Sequence, residues 1–476
     1  MSEKSDSKAA RVLALASELR WQLPQNLHDR ITEAIYAEAA RIASRTVRQQ
    51  GGSRRLAWQS RLDHWLTHPL TGFPVMIAVL GVVLWLTISG ANYPSQLLSD
   101  ILVGWGHPAL RELFSSLGAP AWLTGIVVDG CYLATAWVVS VMLPPMAIFF
   151  PCFTILEDFG FLPRVAFNLD RMFQKVGAHG KQALTMTMGL GCNAAGVVAA
   201  RVIDSPRERL VAILTNNFSV CNGRWPTLIL MGSIFIGAAV PPGWSKTAVA
   251  TGAVLGVALL GFALAFATSW LLTRTLLRGE ATTFSLELPP YRPPRILRTL
   301  YTSLIDRTLI VLWRAVVFAA PAGAAIWLVA NIHIGDQSLA LWLIDLLEGP
   351  GWWMGLSGVI LLAYVVAIPA NEIVIPTILM FTVLVLGRHD AGTGAGVIFE
   401  TSDQMIHQIL IQGGWTLLTA ICLMLFSLCH NPCSTTLYTI YKETKSWKWT
   451  AVAALMPLAL GFLLCSTLAA LWRSLA

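Results

Sequence analysis

Charge is what this sequence has least of. Only 12% of its 476 residues are Asp, Glu, Lys or Arg, where a soluble domain carries ~25%. Hydrophobic residues make up 55%, and the mean hydropathy is +0.63. A water-soluble fold is excluded on that balance. Ten-residue alternations of apolar and polar residues set between turns are also missing, which excludes an outer-membrane barrel. Residues 177–182 hold a Gly-Lys pair but lack the spacing and the following Ser/Thr of a phosphate-binding loop. No Asn-Lys-x-Asp, Ser-His-Asp arrangement or zinc-protease motif occurs, so the chain is expected to be no enzyme. The polar N-terminus has no apolar run before a small-residue cleavage site, so no cleaved signal peptide is expected. All eight cysteines fall in or beside apolar runs, which speaks for free thiols or ligands over disulfides.

What is present is a series of apolar runs longer than the ~18 residues that a spanning helix needs. They imply an all-α polytopic membrane protein with about seven to nine transmembrane helices plus re-entrant or broken helices. The net charge of +7 reads as Lys and Arg gathered in cytoplasmic loops, with no nucleic acid as partner. Residues 1–65 form a basic segment, with 11 Lys/Arg against 6 Asp/Glu up to Arg61. Leu and Ile recur there at three-to-four spacing, so it is read as cytoplasmic amphipathic helix. Residues 66–273 are a first membrane half, 274–307 a cytoplasmic Pro/Arg-rich linker, and 308–476 a second membrane half. The first span is expected over 73–89, with short amphipathic helices over 90–123. The second run, 125–156, is read as interrupted at Pro144-Pro145 and Pro151, and 333–351, with no Lys or Arg, as lying on the outer side.

The stretch that organises the chain is 185–230. It is apolar, yet it carries Cys192, Asn193, Asn216, Asn217, Cys221, Asn222 and Arg224 at membrane depth. Polar groups and broken backbone in hydrocarbon persist where they line a cavity or are buried in protein. Basic residues flank 183–200 on both sides, so this segment is read as a re-entrant dip with Gly191-Cys192-Asn193 at its turn. The run 210–236 then crosses the bilayer. The second half echoes both features. Pro369-Ala370-Asn371-Glu372 interrupts the run 353–387, and Cys429-His430-Asn431-Pro432-Cys433 interrupts the run 415–440. Phe218-Ser219-Val220-Cys221 is matched by Phe426-Ser427-Leu428-Cys429. Two inverted gate-like repeats follow, the plan of many secondary transporters.

Unwound carbonyls can replace part of a cation's water shell, and thiols favour softer divalent metals over magnesium or calcium. Candidate ligands are therefore Cys192, Cys221, Asn193, Asn217 and Asn222. Cys429, Cys433 and His430 are further candidates, with packing and helix breaking as the plain alternative. Met186 and Met188, at i and i+2, read as packing. Glu157, Asp158 and Glu372 are the carboxylates nearest membrane depth. For Glu157 and Asp158 a helix-end pairing with Arg164 stands as the alternative. Arg224 is expected to pair with one of these three carboxylates.

Leu156-Glu157-Asp158-Phe159-Gly160-Phe161, Asp170-Arg171, Gly191-Cys192-Asn193, Pro206-Arg207-Glu208-Arg209 and Ser219-Val220-Cys221-Asn222-Gly223-Arg224-Trp225-Pro226 resemble the membrane part of the ferrous iron transport protein B (FeoB) family. Pro369-Ala370-Asn371-Glu372, Pro432-Cys433-Ser434-Thr435-Thr436-Leu437 and Lys442-Glu443-Thr444 fit the same resemblance, which covers about residues 60–470. It implies inward movement of ferrous iron across a bacterial cytoplasmic membrane. Cys192 and Cys221 would be pore or metal-site residues, with Glu157 and Asp158 nearby. Family members usually begin with a GTP-binding domain that is not found here, and Ala194-Ala195 stands where Val-Pro is commoner.

The function expected is transport of a divalent cation, with Fe2+ as substrate and Mn2+ or Zn2+ as alternatives, and no tightly bound cofactor. The expected partners are the lipid bilayer, a separate cytoplasmic GTPase, a small accessory protein and a second copy of the chain. The N-terminus is placed in the cytoplasm. A nucleoside-like organic solute carrier and a non-transporting scaffold for a GTPase are the rival readings.

Overall fold

A backbone in hydrocarbon must pair its own N–H and C=O groups, so apolar runs become helices. The computed structural model describes residues 27–46, 54–177, 180–241, 245–278, 296–335, 337–387 and 403–475. Two helices, Leu27–Thr46 and Arg54–Thr67, precede α1 (Pro69–Ser99). The first half then consists of α2 (Leu133–Phe159), an amphipathic helix Phe161–Lys175, a pair α3 (Gln182–Gly191) and α4 (Asn193–Ala199), a second pair α5 (Pro206–Thr215) and α6 (Trp225–Met231), and α7 (Lys246–Arg274). The second half repeats that order with α8 (Ile310–Asn331), α9 (Leu339–Trp353), the pair α10 (Gly358–Val366) and α11 (Val374–Val385), the pair α12 (Leu417–Cys429) and α13 (Ser434–Thr444), and α14 (Trp447–Leu475). Helix Asp403–Gln412 is inserted before α12.

Among the described residues, six helices are long and apolar enough to cross a membrane, or seven if the pair α9–α10, bent by 110°, forms one span. Seven is the lower end of the range expected. The crossing through 210–236 is cut into pieces too short to count, and Trp225–Ile236 is only a short apolar helix. The protein is an all-α, multi-pass membrane protein. Its strands, among the described residues, are the two-residue pair His333–Ile334 and Gln337–Ser338.

Two local expectations are corrected. The first span does not stop at 89, because helical structure runs on from Leu70 to Ser116, 47 residues. Pro144, Pro145 and Pro151 do not interrupt the second run but lie inside the continuous helix α2. Inside a bundle, neighbouring groups re-satisfy the backbone that proline frees. Residues 333–351, read as lying on the outer side, contain most of α9, capped by Ser338, whose hydroxyl accepts from Leu341 N–H. Residues 279–295, half of the 274–307 linker, lie outside the described residues. The described end of that linker is helix Ile296–Thr302, which leads into α8.

Helix ends carry recognisable stops and starts. Ser205-Pro206-Arg207-Glu208 opens α5, with Ser205 Oγ accepting from Glu208 N–H and proline in the first turn, where its missing N–H costs nothing. The halves interlock reciprocally: α7 packs on α12, and α14 packs on α5. Between them α4 packs on α13 and α6 on α12. Gly130 and Gly323 let α8 approach the turn before α2, since a β-carbon on either would meet the other's backbone.

Candidate functional site at the helix breaks

Four interrupted helices meet in the middle of the bundle. The first interruption is a single residue. Cys192, at φ −152° and ψ 123°, is extended between α3 and α4. The two short helices fold back on each other. At their open end, Lys181 Nζ donates to the Val202 carbonyl and Asp204 Oδ2, both at 3.0 Å. A β-carbon on Gly196 would stand 2.6 Å from the Thr185 carbonyl oxygen. The dip read from the sequence is thus a helical hairpin with Cys192 at its tip. The arms have 10 and 7 residues, about half and about a third of what is needed to cross ~30 Å of hydrocarbon.

The second half uses the same device. Ala370, at φ −149° and ψ 114°, is extended before Asn371, so Pro369-Ala370-Asn371 does correspond to Gly191-Cys192-Asn193. The neighbouring crossings are tied to these tips alike. Asn222 N–H donates to the Gly191 carbonyl (3.1 Å), and Ser434 N–H donates to the Ile368 carbonyl (3.0 Å). The residue before each donor is a cysteine, so Cys221 corresponds in space to Cys433. The sequence echo that pairs Cys221 with Cys429 is out of register.

These tips enclose a cavity of about 30 Å³, roughly the share of one water molecule in the liquid. Cys192, Asn193, Cys221, Asn222, Glu372 and Cys433 line it. The Glu372 carboxylate lies against Gly223, where a β-carbon would collide with it. Among the described residues no three His, Cys, Asp or Glu side chains converge tightly enough for a ready-made metal site. The arrangement is a loose ring of thiols, amides and one carboxylate. Such a wall suits passing contacts better than storage, because conduction needs sites weak enough to leave.

The other candidates lie elsewhere. Cys429 is fully buried, and its β-carbon packs where Gly461 leaves room. The His430 ring spans Asn371 Oδ1 (3.0 Å) and the Ser427 carbonyl (3.2 Å), joining the two breaks of the second half. Asp158, at the exposed end of α2, accepts from Thr299 Oγ1 at 2.7 Å, and neither it nor Glu157 lines the cavity. Arg164 pairs with Asp63 at 2.9 Å.

Arg224 corrects a further expectation. It is 1% exposed, and its partners are carbonyls and an amide where a carboxylate was expected. Nη1 donates to the Asn217 carbonyl (2.7 Å) and the Leu428 carbonyl (3.1 Å). Nη2 donates to Asn217 Oδ1 (2.9 Å) and the His430 carbonyl (3.2 Å). Asn217 Nδ2 donates to the same His430 carbonyl at 2.8 Å. The guanidinium therefore caps the C-terminal end of α12, where helix carbonyls lack partners and the helix dipole favours a cation. Asn217 is a strut of this lock and does not reach the cavity. Asn216 is a second strut, packed between Gly189 and Gly196, with Nδ2 donating to the Asn193 carbonyl (2.8 Å). The Asn193 amide is best placed with its NH2 towards the carbonyls of Ser219 and Gly189, 3.1 Å each.

The sequence reading missed Met142 and Met146, which share one face of α2 and line the cavity beside the cysteines. Their i, i+4 spacing around Pro144-Pro145 was the available signal, hidden by reading those prolines as a break.

Fold and site together define a polytopic membrane protein whose centre is built from two pairs of interrupted helices. Residues 139–235 match the family model described as Gate, nucleoside recognition, and residues 254–306 match the one described as ferrous iron transport protein B C terminus. The chain is 30% identical over 421 residues to the Fe(2+) transporter FeoB of Staphylococcus aureus, covering 86% of this chain and 58% of that protein. It is 28% identical over 409 residues to the Fe(2+) transporter FeoB of Synechocystis sp., covering 84% and 61%. A fusion of Fe(2+) transport protein A with Fe(2+) transporter FeoB from Porphyromonas gingivalis is 30% identical over 236 residues, covering 49% and 26%. No solved structure matches the chain. The chain is similar to the membrane portion of these Fe(2+) transporters, and it spans about three-fifths of the length of the first two of these relatives.

Proposed function

We propose that this chain moves ferrous iron across a bacterial cytoplasmic membrane through the cavity at the helix breaks. The observation that carries the reading is the convergence of Cys192, Cys221, Cys433 and Glu372 on one cavity, in a chain whose named relatives are Fe(2+) transporters. Sulfur favours iron and zinc over hard divalent ions, and the carboxylate offers a hard oxygen beside it. Passage is proposed to involve the crossings shifting against the hairpins, as in alternating access. The Gate description raises an organic solute as a second reading. A cavity of about 30 Å³ is an order of magnitude below the ~300–1,000 Å³ of organic-ligand sites, which favours a single ion.

A cytoplasmic N-terminus is part of the same proposal, and its basic composition supports it. Coupling to a GTPase supplied outside these residues is part of the proposal, as is assembly of more than one copy. A small accessory protein is suggested by the fused relative. The test is uptake of radiolabelled Fe2+ into proteoliposomes under reducing, anaerobic conditions. The intact chain should take up iron, and Cys192→Ser/Cys221→Ser should lose uptake while keeping its melting behaviour. Unchanged uptake in the double variant would remove the cavity from the path.

A further inference from the structure

A larger cavity lies outside the site described so far. Between Trp225–Ile236 and α7, a groove of about 620 Å³ opens on the flank of the bundle. That volume falls within the ~300–1,000 Å³ usual for organic ligands. Its walls are mostly apolar, and Ile229 and Leu255 on them are exposed, 42% and 55%. The charged side chain in its lining is Lys246, which among the described residues makes no ion pair. Lys246 is the first residue of the 29-residue helix α7, so the positive end of a long helix dipole adds to its charge. An apolar slot with a cation at one end matches an acyl chain attached to a phosphate.

We propose that this groove binds one anionic phospholipid, with an acyl chain along Ile229, Val254 and Leu255 and the phosphate at Lys246. The groove also reaches the gate. Trp225 lines it and also lines a small chamber shared with Gly191 and Asn222. Trp225 is therefore shared by the groove and the helix breaks, one residue from Arg224. A chain seated in the groove bears on the residue that opens α6, so bilayer composition would bias the position of that break.

The test is native mass spectrometry of the full chain released from nanodiscs holding equal phosphatidylglycerol and phosphatidylcholine. The parent chain should retain one phosphatidylglycerol through mild activation. Thr251→Trp and Ile229→Trp, which fill the groove from exposed positions, should lose it. Lys246→Gln should still hold a lipid but show about fivefold less preference for the anionic one. That substitution is at the surface and should leave folding unaffected. The proposal is overturned if the parent retains no lipid, if both tryptophan variants retain it equally, or if Lys246→Gln keeps the full preference. It is also overturned if the tryptophan variants dissociate an oligomer that carries no lipid, which would make the groove an interface between copies.

Discussion

Removing Arg224 should loosen the junction between the two halves more than any other single substitution at the breaks. Its guanidinium makes four hydrogen bonds, two to Asn217 and one each to the carbonyls of Leu428 and His430. A hydrogen bond from a charged donor contributes about 1.5–3 kcal/mol, so four would sum to roughly 6–12 kcal/mol if they were independent. They are not, because two share Asn217 and all share one side chain, and neighbouring groups do not add. Losing one partner of a buried charged network costs about 3–5 kcal/mol, and that is the expected cost of Arg224→Leu. Arg224→Lys keeps the charge but replaces a planar fork with a compact ammonium. It should recover about half of the loss. SDS-titrated unfolding in bicelles would measure both. Arg201→Gln serves as the comparison, because the Arg201–Glu443 pair joins the same halves with a largely exposed arginine. Such pairs contribute about 0–1 kcal/mol. The lock is refuted if Arg224→Leu unfolds within about 1 kcal/mol of the parent, or if Arg224→Lys matches the parent.

The cysteines should separate by position. Cys433→Ser, in the cavity wall, should reduce Fe2+ uptake at least about tenfold, a difference of ~1.4 kcal/mol, whereas Cys429→Ser should retain uptake and lower the unfolding midpoint. Glu372→Gln removes the carboxylate from the wall without changing its shape, and uptake should fall by a similar factor with no change in melting temperature. Two glycines should separate in the opposite sense. Gly196→Ala pushes a β-carbon into the Thr185 carbonyl, backbone that cannot yield, and should destabilise the hairpin by about 1–3 kcal/mol. Gly223→Ala meets the mobile end of Glu372, so it should alter uptake more than stability.

The sequence showed where the helices break because polar residues and glycine are conspicuous in an apolar run. Gly191-Cys192-Asn193 and Pro369-Ala370-Asn371 could be matched before any coordinates, and their extended residues have nearly the same backbone angles. Register was a different matter. Phe218-Ser219-Val220-Cys221 and Phe426-Ser427-Leu428-Cys429 share residues but not conformation. The first follows a helix that ends at Thr215, and the second closes a helix that runs to Cys429. A four-residue match does not specify where a helix stops. The partner of Arg224 was illegible for a related reason. A buried cation is expected to seek a carboxylate, but the unpaired carbonyls at a helix end carry no residue signature, and here they do that work. Glu157 and Asp158 looked central from their place at the end of an apolar run, yet that end faces Thr299 and not the cavity.

What the two halves duplicate is backbone. Each has one extended residue at a hairpin tip, and each tip lies beside a carbonyl that accepts from the residue after a cysteine. These features fix the enclosure and would survive many changes of side chain. The donors are not duplicated. At the tip itself the first half presents Cys192 where the second presents Ala370, and the second adds Glu372 after Asn371 where the first has Ala194 after Asn193. The ring is thus soft on the side of Cys192 and Cys221, and mixed on the side of Glu372 and Cys433. The Arg224 lock is one-sided as well, because the residue at the corresponding place after Cys433 is Thr436. On the proposed path, a symmetric enclosure with an asymmetric wall would give an ion two different faces to exchange between. The difference between those faces rests on side chains that the shared backbone leaves free to vary.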